Sequence, residues 1–154
     1  MILACLIINN RGKPRLNKFY ERYPIDTQKK LIREVYQAIS KRPPSACNFL
    51  ENAYGFWGKG NGVKIVYRTY ATLCFIMVVD SAESELGIMD LIQSFVECLD
   101  HQFENVCELD LIFHSDKVHF ILDEMILGGL VIEARYQNIL PSLEAQDKMD
   151  RASR

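Results

Sequence analysis

Two almost uninterrupted apolar runs, Leu3–Ile8 and Ala71–Val79, most constrain what this chain can fold into. A strand with one face in water alternates apolar and polar residues, whereas a strand covered on both faces reads as a continuous apolar run. Neither run approaches the ~20 apolar residues that are needed to span a bilayer. We therefore predict two strands that are covered on both faces, with Ala71–Val79 in the centre of a sheet.

Turn residues and shorter apolar segments predict three more strands. The turn Asn9–Gly12 joins the first run to a strand at Arg15–Tyr20, which makes a hairpin. Further strands are predicted at Cys47–Ala53 and Val63–Arg68. The glycine-rich segment Gly55–Gly62 between them lacks the lysine–hydroxyl ending and the following helix of a phosphate-binding loop. We interpret it as a hairpin loop, because such loops favour glycine and asparagine.

A stripe of apolar residues at helical spacing predicts the first helix, between the second and third strands. The stripe consists of Leu31, Ile32, Val35, Tyr36 and Ile39. We expect Asp26 or Thr27 as the N-cap, since a side-chain oxygen there can accept a bond from the first free amides. Lys41 and Arg42 suit the negative end of the helix dipole, and Pro43–Pro44 ends the helix.

Helical patterns dominate after the last strand. A long helix is expected to begin at Ser81, with Glu83 and Glu85 in its first turn. Its core face would consist of Ile88, Ile92, Phe95, Val96, Leu99 and Phe103. Strands first and helices last favour the α+β class, with a mostly antiparallel sheet of about five strands and helices packed on it.

Three further features shape the C-terminal part. Asn105 with Glu108 resembles a capping box and predicts another helix. A kink near His114–Ser115 leads into a helix at Val118–Leu127, which Gly128-Gly129 would end. Pro141 is expected to interrupt the polar segment that follows, and the last residues are expected to fray.

Composition excludes several classes of protein. Hydrophobic residues make up 49% and charged residues 25% of the chain, which is a globular rather than a disordered profile. The net charge of −2 gives no overall attraction to nucleic acid or to anionic membranes. The apolar start has no charged segment before it, so it does not read as a signal peptide. Five cysteines without a CxxC pair are expected to be reduced thiols in the cytosol.

No motif for catalysis, a metal or a cofactor is present. His114 and His119 are five positions apart and would point about 140° apart on a helix, which is poor geometry for sharing a metal ion. The zinc-protease and nucleophile-elbow motifs are both missing. We predict a protein that is not an enzyme and that uses no cofactor. A Cys–His catalytic pair stays open as an alternative, because its partners need not be adjacent in sequence.

Two surface features leave alternatives open. Arg11, Lys13, Arg15 and Lys18 form a basic cluster without an acidic residue. It is either a solvated hairpin or an anion site for an acidic side chain or a lipid head group. Met125–Leu130 and Leu109–Phe113 add more apolar surface than a small monomer exposes, so these segments either lie in the interior or face a partner.

Three ordered blocks resemble the small (sigma) chains of the heterotetrameric clathrin adaptors. They are Met1–Tyr20, Tyr67–Asp80 and Phe103–Met125. Cys47–Glu51 and Ser84–Gln93 are most similar to sigma chains of adaptor protein complex 3. The resemblance implies a longin fold, in which helices cover both sides of a five-stranded antiparallel sheet. It further implies one domain at 1–140 and a polar tail at 141–154.

The resemblance also implies a function and partners. Such chains assemble with two large adaptin chains, delta-type and beta-type, and with a medium (mu) chain. The complex acts in intracellular protein transport on the cytosolic face of Golgi, endosomal and vesicle membranes, and its sigma chain helps to bind acidic-dileucine sorting signals in cargo tails. The alternative is a sigma chain of a sister adaptor complex or a related longin coat subunit. A longin SNARE is disfavoured, since no heptad helix follows the domain.

The resemblance assigns a signal site to seven residues. Arg15 would face the acidic residue of the signal. The pocket for the paired leucines would be lined by Ala71, Leu73, Val96, Asn105, Val106 and Leu111. Without the resemblance, Leu73, Val96 and Leu111 would be interpreted as ordinary core residues.

Overall fold

The computed structural model describes residues 1–46, 48–51 and 62–153, without the side chain of Tyr136. Its main sheet has five strands: β1 (Ile2–Asn9), β2 (Pro14–Phe19), β3 (Phe49–Glu51), β4 (Lys64–Tyr70) and β5 (Leu73–Val79). All neighbouring strands are antiparallel, in the order β2-β1-β5-β4-β3. The predicted central strand therefore occupies the centre, and the α+β class is confirmed. Cys47 and the segment 52–61, with most of the predicted glycine-rich loop, lie outside the described residues.

Helices cover both sides of this sheet. They are α1 (Ile25–Ser40), α2 (Glu85–Phe103), α3 (Glu108–Phe113), α4 (Ser115–Met125) and α5 (Tyr136–Ala152). A two-stranded hairpin, β6 (Ile126–Leu127) and β7 (Leu130–Val131), follows α4. None of the described helices is long and apolar enough to cross a membrane.

Side-chain alternation divides the sheet into two faces. On β5, Ile76 and Val78 belong to the apolar cluster beneath α1, which we call the α1 face. Phe75 and Met77 belong to the cluster beneath α2 and the later helices, which we call the α2–α5 face. Because both faces are buried, β1 and β5 have continuous apolar sequences, as their pattern predicts.

One amphipathic helix closes the α1 face. Leu31, Ile32 and Val35 of α1 are buried, with Tyr36 and Ile39 partly buried beside them. This confirms the predicted stripe. The expected cap is wrong: α1 begins at Ile25, one residue after Pro24, and has no side-chain cap.

The α2–α5 face is built around α2. Its buried residues are Ile88, Leu91, Ile92, Phe95, Val96, Cys98 and Leu99, and Phe103 is partly buried. The predicted start at Ser81 is wrong. Asp80 accepts a bond from the amide of Ala82 through Oδ1, which forms a turn, and the helix begins after Ser84, whose hydroxyl accepts from the amide of Gly87 at 3.3 Å.

The predicted Asn105–Glu108 capping box is displaced by two residues. Asn105 instead has φ 76° and follows Glu104, the left-handed C-cap of α2. Asn tolerates this left-handed conformation better than most residues. Cys107 becomes the N-cap of α3, and its amide donates to Asp110 Oδ2 at 2.9 Å. The predicted kink at His114 is present between α3 and α4.

The C-terminal segment differs from the expected fraying. Helix α5 continues through Pro141, and Ile139 and Leu143 are buried in the α2–α5 face. The division into a domain at 1–140 and a tail at 141–154 stays a prediction, and α5 crosses its boundary. Gly128 and Gly129, with φ values of 58° and 91°, form the turn of the β6–β7 hairpin.

Candidate functional site

The turn between β1 and β2 presents the basic cluster of the sequence. Asn9 organises this turn, because its Oδ1 accepts bonds from the amides of Arg11 at 2.9 Å and Lys13 at 2.8 Å. Its side chain is almost fully buried, with the residue 5% exposed. The turn is therefore held by side-chain bonds at its base, and it carries Arg11 and Lys13 next to Arg15 at the start of β2.

An ion pair links this turn to α3. Arg15 Nε donates to Glu108 Oε1 at 2.5 Å, and Asn9 Nδ2 donates to the same oxygen at 2.8 Å. The bonds from Asn9 and then Arg15 hold the pKa of the Glu108 carboxyl below its usual value. Glu108 is thus ionised at neutral pH. It links α3 to Asn9 and Arg15, which lie about a hundred positions earlier in the chain.

A surface groove lies between the turn and α3. One wall carries the cations Arg11, Lys13 and Arg15, and the other carries the exposed side chains of Leu109 and Ile112. Asn9, Asn10, Thr72 and Glu108 complete the lining. A groove with a cationic and an aliphatic wall suits a peptide in which an acidic residue lies near aliphatic ones.

Comparison with known proteins identifies the family. A family model described as clathrin adaptor complex small chain matches residues 1–150. This chain belongs to that family. Among curated relatives, the AP-3 complex subunit sigma of Dictyostelium discoideum is 58% identical over 154 residues, covering 99% of this chain and 89% of the relative. The AP-3 complex subunit sigma-2 of Homo sapiens is 53% identical over 152 residues, covering 99% and 78%.

The fold of this adaptor small chain has a structural counterpart as well. A chain of a homology model of the full-length AP-3 complex in a stretched open conformation matches it with a TM-score of 0.74. The two chains are 37% identical, and the match covers 99% of this chain and 97% of the other. The longin-like fold expected from the sequence is therefore confirmed.

Four of the residues that the resemblance assigns to the dileucine pocket belong to the apolar cluster of the α2–α5 face. Leu73, Val96 and Leu111 are at most 4% exposed, and Val106 is partly buried against the cluster. In this conformation a leucine from another chain cannot reach the three buried side chains.

The other assigned residues lie at the surface. Ala71 and Asn105 are exposed in turns, with φ values of 53° and 76°. Arg15 reaches the groove. The structure therefore buries Leu73, Val96 and Leu111 in the core and leaves Ala71 and Asn105 at the surface, so the assigned pocket stays a prediction.

Sequence reasoning missed Asn9, Glu108, Leu109 and Ile112 as groove residues. Leu109 and Ile112 are three positions apart and hence lie on one side of α3, which the sequence shows once the start of α3 is known. The buried role of Asn9 could not be seen, because asparagine in a turn ordinarily faces water.

The remaining candidates for chemistry are the cysteines and histidines. Burial raises the pKa of the Cys5 and Cys98 thiols to about 12 and that of Cys74 to about 11, which suppresses their thiolate form at neutral pH. His114 stacks on the ring of Phe103. Within the part of the chain that the structure describes, no three His, Cys, Asp or Glu side chains are grouped so as to hold a metal ion.

Both apolar segments are divided between interior and surface. In the first, Met125 and Ile126 are buried, whereas Leu127 and Leu130 are exposed. In the second, Leu111 is buried, and the exposed residues are Leu109, Ile112 and Phe113. Neither alternative from the sequence is correct alone, because each segment contributes to the core and also leaves an apolar surface.

Proposed function

We propose that this chain is the sigma subunit of an AP-3 adaptor complex, and that it helps to bind acidic-dileucine sorting signals in cargo tails. The observation that carries the proposal is the groove, where the basic β1–β2 turn meets the exposed apolar side of α3. It lies beside the cluster to which the resemblance assigns the leucines of the signal. The role is binding without catalysis.

The cationic wall would select the acidic residue of the signal. Arg15 is the best placed of these cations for this role. Its side chain is only 25% exposed, and its ion pair with Glu108 holds it in place. A guanidinium can donate two parallel bonds to a carboxylate. Such a pair fixes the direction and register of a bound peptide more than it adds affinity.

The aliphatic part of the signal needs an apolar site. Leu109 and Ile112 offer the accessible wall, and Leu73, Val96 and Leu111 belong to the buried cluster of the α2–α5 face. Burying each leucine side chain fully would contribute about 1.5–3 kcal/mol. The buried residues become available only when α3 shifts away from the core.

The connections of α3 favour such a shift. The helix has 6 residues. It follows the left-handed residues Glu104 and Asn105 and ends at the non-helical His114. Changes in backbone angles at these joints can move α3 without disturbing α2 or α4, in the manner of a hinge. We propose that signal binding selects this open arrangement.

The exposed β6–β7 hairpin supports assembly with partner chains. Leu127, Leu130, Val131 and Ile132 are between 39% and 66% exposed. Adjacent exposed apolar residues of this kind are typical of protein interfaces. We propose that this chain packs against delta-type and beta-type large adaptins together with a mu chain. The complex then associates with the cytosolic face of Golgi and endosomal membranes, indirectly through its other subunits.

Co-expression with these three chains tests the proposal. We expect a stable assembly with equal amounts of each chain, which binds a peptide of the form acidic-x-x-x-Leu-Leu. A matched peptide with both leucines replaced by serine should not bind. Assembly only with chains of a sister complex would reassign the pathway, and an assembled complex that binds both peptides equally would contradict the signal-binding role.

A further inference from the structure

We infer that Asn9 and Glu108 form a positioning pair, which fixes the Arg15 guanidinium for the acidic residue of a sorting signal. This inference rests on the proposed signal-binding function and adds two residues that the resemblance did not assign. Glu108 is acidic and borders a groove proposed to bind an acidic peptide. By charge alone it should oppose binding, so its role has to be argued from its contacts.

Asn9 is the fixed end of the chain of contacts. Its Oδ1 accepts two backbone amides of the turn, from Arg11 and Lys13, which determines the orientation of its amide group. The Nδ2 group then points at Glu108 Oε1, 2.8 Å away. The carboxylate of Glu108 is therefore held by a side chain that is itself locked to the backbone.

Glu108 holds Arg15 at one nitrogen only. Its contact is with Nε, and within residues 1–46, 48–51 and 62–153 the terminal nitrogens of Arg15 make no side-chain bond. A guanidinium has five N–H donors, so four remain after the Nε bond. The two-nitrogen fork of Arg15 is left for a carboxylate that enters the groove, while the long side chain is already immobilised.

Both bonds to Glu108 end on the same oxygen, Oε1. A glutamine carbonyl can accept the same two bonds, from Asn9 and from Arg15, without the negative charge. Glu108→Gln thus keeps the positioning contacts, whereas Glu108→Ala removes them. Asn9→Asp provides a second test, because its carboxylate can still accept the two turn amides but cannot donate to Glu108.

The experiment measures peptide affinity with the assembled complex. Two peptides are compared, one with glutamate and one with glutamine at the acidic position of the signal. We expect Glu108→Ala and Asn9→Asp to weaken the glutamate peptide about fivefold. The glutamine peptide should change less than about twofold. Glu108→Gln should bind the glutamate peptide more tightly than Glu108→Ala does, because the glutamine carbonyl keeps the contacts with Asn9 and Arg15. Thermal unfolding of each complex shows that it is still assembled.

Other outcomes would overturn the inference in distinguishable ways. Tighter binding by both Glu108→Ala and Glu108→Gln would show that Glu108 competes with the signal. Equal weakening of the two peptides would show a general structural effect. Affinity unchanged in every variant would show that Arg15 needs no positioning. If the unchanged complex binds neither peptide, the proposed function itself fails, and the inference fails with it.

Discussion

The two faces of the sheet are equally well buried, yet they are closed in different ways. Among the described residues, one continuous helix, α1, covers the α1 face. The α2–α5 face is covered by several helices, and α3 among them is joined to its neighbours through Glu104, Asn105 and His114 in non-helical conformations. The groove lies at the edge of this second face. We therefore expect a ligand to enter the core more easily beneath short, separately joined helices than beneath one continuous helix.

The largest expected effect comes from placing a charge in each face. Val96→Asp, at a site 4% exposed, should abolish binding of an acidic-dileucine peptide while the complex still assembles. We expect the carboxylate to reach water when α3 shifts. The leucines of the signal could then be buried there only by removing water from the carboxylate, which is unfavourable. Val35→Asp, at a site 0% exposed beneath α1, has no such exit and should cost more than about 3 kcal/mol and prevent assembly.

Peptide binding and recovery of the co-expressed complex measure the two results. Undiminished binding by Val96→Asp would disprove the assigned pocket. Equal loss of assembly in Val35→Asp and Val96→Asp would mean that the α2–α5 face opens no more readily than the α1 face.

Removing one cation gives the next effect in size. Arg15→Ser should weaken the acidic peptide about tenfold, because a charge-assisted pair is lost. Arg33→Ser, on the exposed side of α1, is the matched control and should leave affinity unchanged. Titration by isothermal calorimetry at two salt concentrations checks both variants. If the Arg15→Ser effect were independent of salt, the contact with the signal would not be electrostatic.

A smaller effect is expected at the exposed wall of the groove. Leu109 is 60% exposed and Leu86 is 72% exposed at the first turn of α2. Leu109→Ser should weaken the dileucine peptide about fivefold, because only part of the side chain becomes buried. Leu86→Ser should have no effect on binding. Fluorescence anisotropy with a labelled peptide measures both, and equal affinities would remove Leu109 from the site.

The fold was predictable because its sequence signals are local and repeated. The apolar runs of β1 and β5 and the stripe on α1 indicate which faces are buried, and with the turn residues they predict a sheet of about five strands. Helix starts were less predictable. Ser81 and Asn105 have side chains that are suitable for N-caps. However, Ser81 lies in a turn that Asp80 stabilises, and Asn105 lies in the left-handed segment that ends α2.

The candidate site was predictable only in part. The basic cluster with Arg15 could be found from the charge pattern, whereas the pocket roles of Leu73, Val96 and Leu111 came from the resemblance and stay predictions. Their closed state could not be predicted, because it depends on how α3 packs rather than on any residue type. The bond between Arg15 and Glu108 joins residues that are far apart in sequence. Such a contact cannot be predicted from any local sequence pattern.

The smallest expected effect concerns pH and the edge where the groove meets α3. In the native chain, contacts with Asn9 and Arg15 hold the pKa of the Glu108 carboxyl below its ordinary value of 4.5. The native state therefore binds this proton less readily than the unfolded state does. The stabilisation from these contacts is therefore complete at a pH above the pKa of Glu108 in the unfolded chain. It is lost as the pH falls through the pKa of Glu108 in the native chain. We expect the melting temperature of the complex to exceed that of Glu108→Gln by a small margin, which is constant near neutral pH and shrinks as acidification protonates Glu108. Scanning calorimetry of both complexes checks this, and a margin that grows on acidification would contradict the assigned direction of the shift.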